Sequence, residues 1–388
     1  MRMTRSPWRR SRVATIAVAA TLALALGACG GGTDDDPDSG GSGDGGDLTP
    51  VSLQLQWVAQ GQFAGYYAAL DQGYYEDEGL DVTIVEGGPD IVPQDALSAG
   101  DVDYAISWVP KVLGSIEQGA QITDVAQIYE RSATTQISFK DKGITSPADL
   151  EGKNVGSWGY GNEWELFAGM QKEDVGLKDI KLVQQAFDMN GFLAGDIDAA
   201  QAMTYNEYAQ VLETVNPDTG ELYQPDELNV IDWNDVGTAM LQDAIWASTE
   251  RLEDDAYAEQ TVAFIKASIK GWVYARDNAQ EAADIVTAAG SQLGTSHQLW
   301  MVNEVNKLLW PSGDRIGLIS QSAWDQTVDI AMTTENETGA TIITEEPPAT
   351  AFSNEYVEKA LAELEEEGVD VVGADWAPIE VTLNEGGN

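Results

Sequence analysis

The 388-residue chain carries 65 acidic against 20 basic residues, a net charge of −45, with one cysteine and one histidine. That balance excludes a nucleic-acid partner, because phosphate contacts need clustered Lys and Arg, and a single Cys with a single His cannot assemble a zinc site, so no metal is expected. The length leaves room for two domains with cores of their own.

Arg2, Arg5, Arg9, Arg10 and Arg12 precede an acid-free run of apolar and small residues, 13–28, in the layout of a secretory signal. The run is about four residues short of the roughly 20 that a membrane-spanning helix needs, which favours an export signal over a permanent anchor. Leu26-Gly27-Ala28-Cys29 resembles the lipobox of bacterial lipoproteins, implying that residues 1–28 are removed and that Cys29 takes a diacylglyceryl group. Two acyl chains suffice for stable anchoring. Removal leaves 15 bases against 65 acids, −50, most of it solvated surface that keeps the protein soluble. The stretch behind Cys29 is almost wholly Gly, Asp and Ser, so 29–47 is expected to be a lipidated tether reaching roughly 25 Å.

In the body, Phe63, Tyr66, Tyr67 and Leu70 fall at helical spacing before Gly73. A two-part motif follows: Gly79-Leu80-Asp81-Val82-Thr83-Ile84-Val85, then Ala99-Gly100-Asp101-Val102-Asp103-Tyr104. Pro110 opens a helix that runs to Gly119, Thr134 to Phe139 reads as an apolar strand, and Ser146-Pro147 with Asp149 is an N-cap with proline at the first helical position. The motif then recurs as Gly176 to Val183 and Ala194-Gly195-Asp196-Ile197-Asp198-Ala199. Both copies read as helix end, β-branched strand, short helix, glycine stop and buried strand. An acidic surface loop is expected at 216–228, a strand at 239–247, and helices at 253–276, 279–289, 296–310, 322–333 and 353–367. Duplication predicts two α/β lobes: 48–137 with 245–388, and 138–244 between them. The strands at 134–139 and 239–247 would be the crossovers. A cleft between lobes is a preferred ligand site, and hinge closure is the expected motion.

Leu55-Gln56-Trp57, the stretch Phe63 to Ala69 and the stretch Gly73 to Val82 resemble the opening of the THI5-like (NMT1/THI5-like, SsuA/THI5) substrate-binding proteins. So do Leu97 to Asp103, Gly143-Ile144 through Lys153 to Gly156, and Ala194 to Ala199. The resemblance implies an α/β, type II periplasmic-binding-protein fold with a ligand cleft between two lobes. It also implies a receptor role for ABC importers of thiamine pyrimidine precursors, riboflavin, sulfonates or nitrate. One branch of the family is an enzyme, the fungal-type pyrimidine synthase, which holds pyridoxal phosphate on a lysine and consumes a histidine just after the Gly-Asp-Val-Asp strand. Aligned on that strand, Ser107 and Lys111 occupy those two places, which implies a carrier without enzymatic activity or cofactor. The only histidine, His297, falls in the helical C-terminal region, where a surface or capping role is expected.

Family loops facing the cleft fall at 57–63, 87–89, 107–108, 158–163 and 203–207. The expected ligand contacts are Trp57, Gln60, Gln62 and Phe63, then Gly88 and Trp108, then Trp158, Tyr160, Asn162 and Glu163, and last Thr204, Tyr205, Asn206 and Glu207. Flat aromatic side chains grip flat ligands and exclude water. Core packing competes with ligand contact for each Trp; the strand-to-helix turns at Trp57 and Trp158 favour contact. Gly159 and Gly161, just before a helix, offer amides to an anion, the alternative being an ordinary turn. Arg131 is the only arginine near these segments, and the Asn, Gln and Glu side chains suit a neutral or weakly cationic heterocycle. Pyrimidine binders of the family place a glutamate just after the second Gly-Asp-Ile-Asp strand, where this chain has Thr204, with Glu207 one turn on.

Together these features predict a monomeric receptor, lipid-anchored on the extracytoplasmic face, that hands its ligand to an ABC permease. The alternatives are a receptor for sulfonate or nitrate-type anions, a sensor presenting its ligand to a membrane kinase, and a secreted carboxylate-dependent hydrolase. A serine hydrolase is disfavoured by the lack of a Gly-x-Ser-x-Gly elbow.

Overall fold

Apolar residues alternate along 49–54, burying Val51 and Leu53, and this run forms the first strand in the computed structural model, which describes residues 48–388. The export signal, Cys29 and the tether lie outside the described residues. Among the described residues there are ten strands: β1 (Thr49–Gln54), β2 (Leu80–Val85), β3 (Tyr104–Trp108), β4 (Ile122–Gln127), β5 (Thr134–Phe139), β6 (Asn154–Ser157), β7 (Lys181–Gln184), β8 (Ala200–Met203), β9 (Leu228–Asp232) and β10 (Asp243–Ser248).

The first sheet has the order β2-β1-β3-β10-β4, with β1 parallel to both neighbours and β10 antiparallel to β3 and β4. In the second lobe β6 and β7 pair in parallel, and β5 runs antiparallel between β8 and β9. A parallel bridge, Val155 to Ala199, joins the two sets, with the Gly156 N–H donating to the Ala199 carbonyl at 2.8 Å. The second sheet therefore repeats the first: β7-β6-β8-β5-β9 has the same three parallel strands and the same antiparallel fourth. The fold is the type II periplasmic-binding architecture of two α/β lobes.

The repeated Gly-Asp-x-Asp motif has one structural job in both lobes. The Asp103 carboxylate accepts the N–H and the hydroxyl of Ser52, both at 2.8 Å, and so ties the start of β3 to β1. Asp198 accepts the Asn154 N–H at 3.0 Å and ties the start of β8 to β6. Each carboxylate also meets a cation, Arg251 and Lys142 respectively, both at 2.9 Å. Gly100 and Gly195 hold φ of +77° and +79°, the left-handed turn that ends the preceding helix. The copies differ at their start. Leu177–Asp179 forms a 3-10 turn, closed by the Asp179 carboxylate on the Gly176 N–H, so β7 begins only at Lys181.

The C-terminal helices lie close to the expected ranges: Asp255–Asp277, Ala279–Ala288, Thr295–Leu309, Gln321–Thr333 and Glu355–Glu366. The longest packs on the helix Ala64–Asp71 at a contact that only glycine permits. A Cβ on Gly271 would sit 2.0 Å from the Gly65 carbonyl, and one on Gly65 would sit 2.1 Å from the Trp272 ring. Two expectations shift. Ser146 and Asp149 cap a single 3-10 turn, Pro147–Leu150, in place of a full helix. The strand expected from 239 starts only at Asp243, because the Met240 and Leu241 amides are taken by Glu165 and Thr327.

The chain crosses between sheets at 128–133 and again at 233–242, and buried side chains lace the crossings together. Gln242 accepts the Ala133 N–H at 2.9 Å and donates to the hydroxyls of Ser132 and Thr134 at 3.0 and 2.7 Å. Asn234 accepts the Ser132 N–H and donates to its carbonyl. Glu165 accepts from Met240 N–H and from the Ser132 hydroxyl. Burial pushes the Glu165 carboxyl up to about 8, against those hydrogen bonds.

Gly271→Ala is expected to cost about 3 kcal/mol by overpacking. Gly114→Ala, whose Cβ would meet nothing closer than Ile342 at 3.6 Å, should instead gain up to about 1 kcal/mol of helix propensity; urea unfolding of the two variants reads the contrast. A carboxyl whose pKa rises on folding stabilises the fold below its unfolded value and loses that contribution as pH climbs through the folded one. The melting temperature should therefore fall from about pH 5 to pH 8, and Glu165→Gln should flatten the fall; an unchanged slope in that variant removes Glu165 as its source.

Candidate functional site

Parallel strands leave their C-terminal ends open to a ligand, and both lobes turn those ends toward one cavity of about 760 Å³. The loop after β1 brings Trp57 and the loop after β6 brings Trp158; the loops after β2 and β7 bring Gly88 and Phe187; β3 ends on Trp108 and β8 on Met203. Equivalent positions of the duplicated unit thus face one another. A second concavity, about 580 Å³ beside Arg251 and Tyr257, carries none of these loops.

Three aromatic rings form a wall spanning the lobes. Phe187 stands 4.9 Å from Trp57 of the first lobe and 6.2 Å from Trp158 of the second, ring centroid to centroid, nearly parallel to the latter at 22°. Phe187 is 42% exposed, an unusual position for a phenylalanine unless something covers it. Trp158 is buried, and its indole N–H finds no acceptor.

The floor is organised by Asp243, the first residue of β10. Its carboxylate accepts from the side chains of Gln56 at 2.6 Å, Trp108 at 2.7 Å and Gln62 at 3.0 Å, while Gln60 donates to Gln62 at 2.7 Å. Burial pushes Asp243 up to about 6, and the three donors hold it from rising further. On the facing wall Glu207 accepts the Met203 N–H and the Asn206 amide, and burial pushes it up to about 7. Asn206 also meets His297 at 3.1 Å, whose other ring nitrogen lies 2.8 Å from Glu213. His297, on the helix Thr295–Leu309, is therefore buried against the second lobe, a correction to the surface or capping role expected for it. The long C-terminal segment brings it there.

Of the expected contacts, Trp57, Gln60, Gln62, Gly88, Trp108 and Trp158 line the cavity. So do Tyr160, Asn162, Tyr205, Asn206 and Glu207. Tyr160 lines it from the rim, 86% exposed. Three do not line it. Phe63 is buried in the first lobe's core, Thr204 donates its N–H to the Ala133 carbonyl, and Glu163 turns back to accept the Gly161 N–H at 2.9 Å. That bond, with the Ser157 hydroxyl on the Gly159 N–H at 3.2 Å, occupies both amides that the sequence offers to an anion. Arg131 points away, to the carbonyls of Leu308 and Pro311.

Residues not foreseen are Gln56, Phe187, Asp243 and Lys111. For Asp243 a signal was present: it is the one acid inside the strand expected at 239–247, and charges there are rarely idle. Lys111, noted in the sequence only as the occupant of the synthase histidine's place, lines the cavity with its ammonium 4.7 Å from the Trp108 ring centroid. Ser107, in the place of the synthase lysine, donates to Gln94 at 3.1 Å and has no amine to hold pyridoxal phosphate. Among the described residues no group of His, Cys, Asp and Glu is arranged to hold a metal, and no helix is long and apolar enough to cross a membrane.

Comparison with known proteins agrees with this architecture. The chain is 23% identical over 241 residues to the formylaminopyrimidine-binding protein of Halalkalibacterium halodurans, covering 62% of this chain and 70% of that one. It is 28% identical over 152 residues to a Haemophilus influenzae protein named for thiamine biosynthesis, covering 38% of this chain and about half, 48%, of that one. It also matches a 4-amino-5-hydroxymethyl-2-methylpyrimidine phosphate synthase of Aspergillus parasiticus, 22% over 165 residues, 42% of this chain and 48% of that one. Among solved structures, the alkanesulfonate-binding protein SsuA of Xanthomonas axonopodis pv. citri, bound to MOPS, superposes with a TM-score of 0.56 at 15% identity, over 79% of this chain and 99% of that one. The family model described as NMT1/THI5 like matches residues 60–282. With more than half of its length matched, the chain belongs to the NMT1/THI5-like family.

Proposed function

We propose that the protein is the extracytoplasmic receptor of an ABC importer, which captures a small flat heterocycle by cleft closure and hands it to a membrane permease without altering it. The observation that carries this reading is the aromatic wall of Trp57, Phe187 and Trp158, assembled from both lobes around one cavity. Flat rings exclude water best against such a wall. Relatives named as a formylaminopyrimidine-binding and a riboflavin-binding protein support a solute-binding role. A nutrient such as a thiamine pyrimidine precursor or a riboflavin-like compound suits the cavity's size and walls.

Absence of catalysis is part of the proposal. Some relatives are named synthases, but Ser107 and Lys111 stand where the resemblance to that branch would place a lysine and a histidine. The buried carboxylates of the cavity floor and wall, Asp243 and Glu207, are held by protein donors, which supports a positioning role for them over the acid and base work of a hydrolase. Anchoring through Cys29, a monomeric state and docking to a permease complete the reading; the resemblance of 26–29 to a lipobox and the acidic surface support them.

The mature polypeptide from residue 30 should gain thermal stability with one member of a heterocycle panel, by about 2.7 kcal/mol at a hundredfold excess over Kd. Trp57→Ala and Trp158→Ala should each weaken that ligand roughly tenfold or more, read as loss of Trp fluorescence quenching. Binding of nitrate or a small alkyl sulfonate with no response to any heterocycle would overturn the aromatic reading and favour the anion receptor.

A further inference from the structure

The polar groups around the cavity are not balanced. Lys111, on the helix Val109–Glu117, lines it, and among the described residues its ammonium makes no ion pair within 4.0 Å and donates no hydrogen bond. Its ammonium stands 4.7 Å from the Trp108 ring centroid, within cation–π reach. Two carboxylates attract it at longer range, Asp243 and Glu163, but both are already engaged, the first by Gln56, Gln62 and Trp108 and the second by the Gly161 N–H. The side chain is only partly exposed and enclosed by protein, and the loss of water around it brings its pKa down to about 8. A half-desolvated cation without an acceptor is costly and is ordinarily paired.

Trp158 adds a second unmet donor: its indole N–H is buried beside the same cavity with no acceptor. The buried carboxylates Asp243 and Glu207, by contrast, already take donors from within the protein. Lys111 and the Trp158 indole are therefore lining donors without acceptors of their own, since the exposed Asp90 carboxylate, also in the lining, makes no ion pair with Lys111 within 4.0 Å. Lys111 is also the only cation among the lining residues, and it is the charge there that a ligand's acceptor would answer.

We infer that Lys111 is a specificity-determining contact and that the ligand is a planar heteroaromatic ring bearing an acidic substituent, a carboxylate, sulfonate or phosphate, whose oxygens take the Lys111 ammonium while the ring lies against Trp57, Phe187 and Trp158. The inference rests on the receptor reading above and names its ligand class. No covalent step is involved.

Matched pairs test it: nicotinamide with nicotinate, riboflavin with flavin mononucleotide, and 4-amino-5-hydroxymethyl-2-methylpyrimidine with its phosphate, titrated into the mature polypeptide by calorimetry and by Trp fluorescence. In at least one pair the acidic member should bind tenfold or more tightly than the neutral one, and in Lys111→Met that ratio should collapse towards one; which acidic member wins separates carboxylate from phosphate. Lys111→Arg, which keeps the charge, should retain a preference for the acid, showing that a change in Lys111→Met is not general damage to the fold. A neutral member that binds as well as its acidic partner overturns the inference while leaving the receptor reading intact. Tight binding of methanesulfonate or inorganic phosphate alone overturns the ring. Failure of every member of every pair overturns both readings together.

Discussion

The site depends on a single buried carboxylate. Asp243 sits where the chain has just returned from the second lobe, and its two oxygens gather Gln56 and Gln62 from the loop after β1 and Trp108 from the end of β3. Its backbone is equally committed, for its carbonyl accepts the Ile128 and Tyr129 amides of the outgoing crossing at 3.1 Å. One residue thus fixes both crossings and the floor of the cavity. Taking a carboxylate out of water is expensive, and three charge-assisted hydrogen bonds offset that cost. Such a satisfied polar centre fixes a geometry that apolar packing alone would leave slack.

Around that centre the two lobes are variations on one unit. The same three parallel strands, the same antiparallel fourth and the same aspartate tie occur in each, and the residues after corresponding strands meet across the cavity. This is why the walls are aromatic on both sides: Trp57 and Trp158 follow equivalent strands. The long C-terminal segment departs from the duplication. Its helix Thr295–Leu309 reaches the second lobe, where His297 lies between Glu213 and Asn206 and the Trp300 indole donates to the Thr204 carbonyl at 3.1 Å.

Much of this was legible in the sequence because it is written in local chemistry. The glycine stops and β-branched runs mark the duplicated strands, apolar spacing marks the C-terminal helices, and Trp57, Trp108 and Trp158 are conspicuous at strand ends. What was not legible depends on contacts between residues far apart in the chain. Asp243 and Gln56 are 187 residues apart, and nothing in either neighbourhood announces the other. Phe187 looks like an ordinary loop residue until the opposite lobe brings Trp57 to it. Phe63 misleads in the other direction: its neighbours in sequence line the cavity, but the 3-10 turn Gly61–Phe63 rotates its ring into the core. Arg131 is hidden in the same way, near the cleft in sequence and spent elsewhere in space.

The aspartate ties have a meaning for how the chain finds its fold. Parallel neighbours such as β1 and β3 close a long loop before any contact rewards them, and a slip of one residue would turn every side chain to the wrong face. Asp103 reaches Ser52 across 51 residues and satisfies its carboxylate only when Leu53 lies opposite Tyr104. Asp198 performs the same service for Asn154, across 44 residues. The motif that marks the duplication in sequence is therefore a register key, one per lobe, that rewards correct threading and penalises any other with a stranded charge.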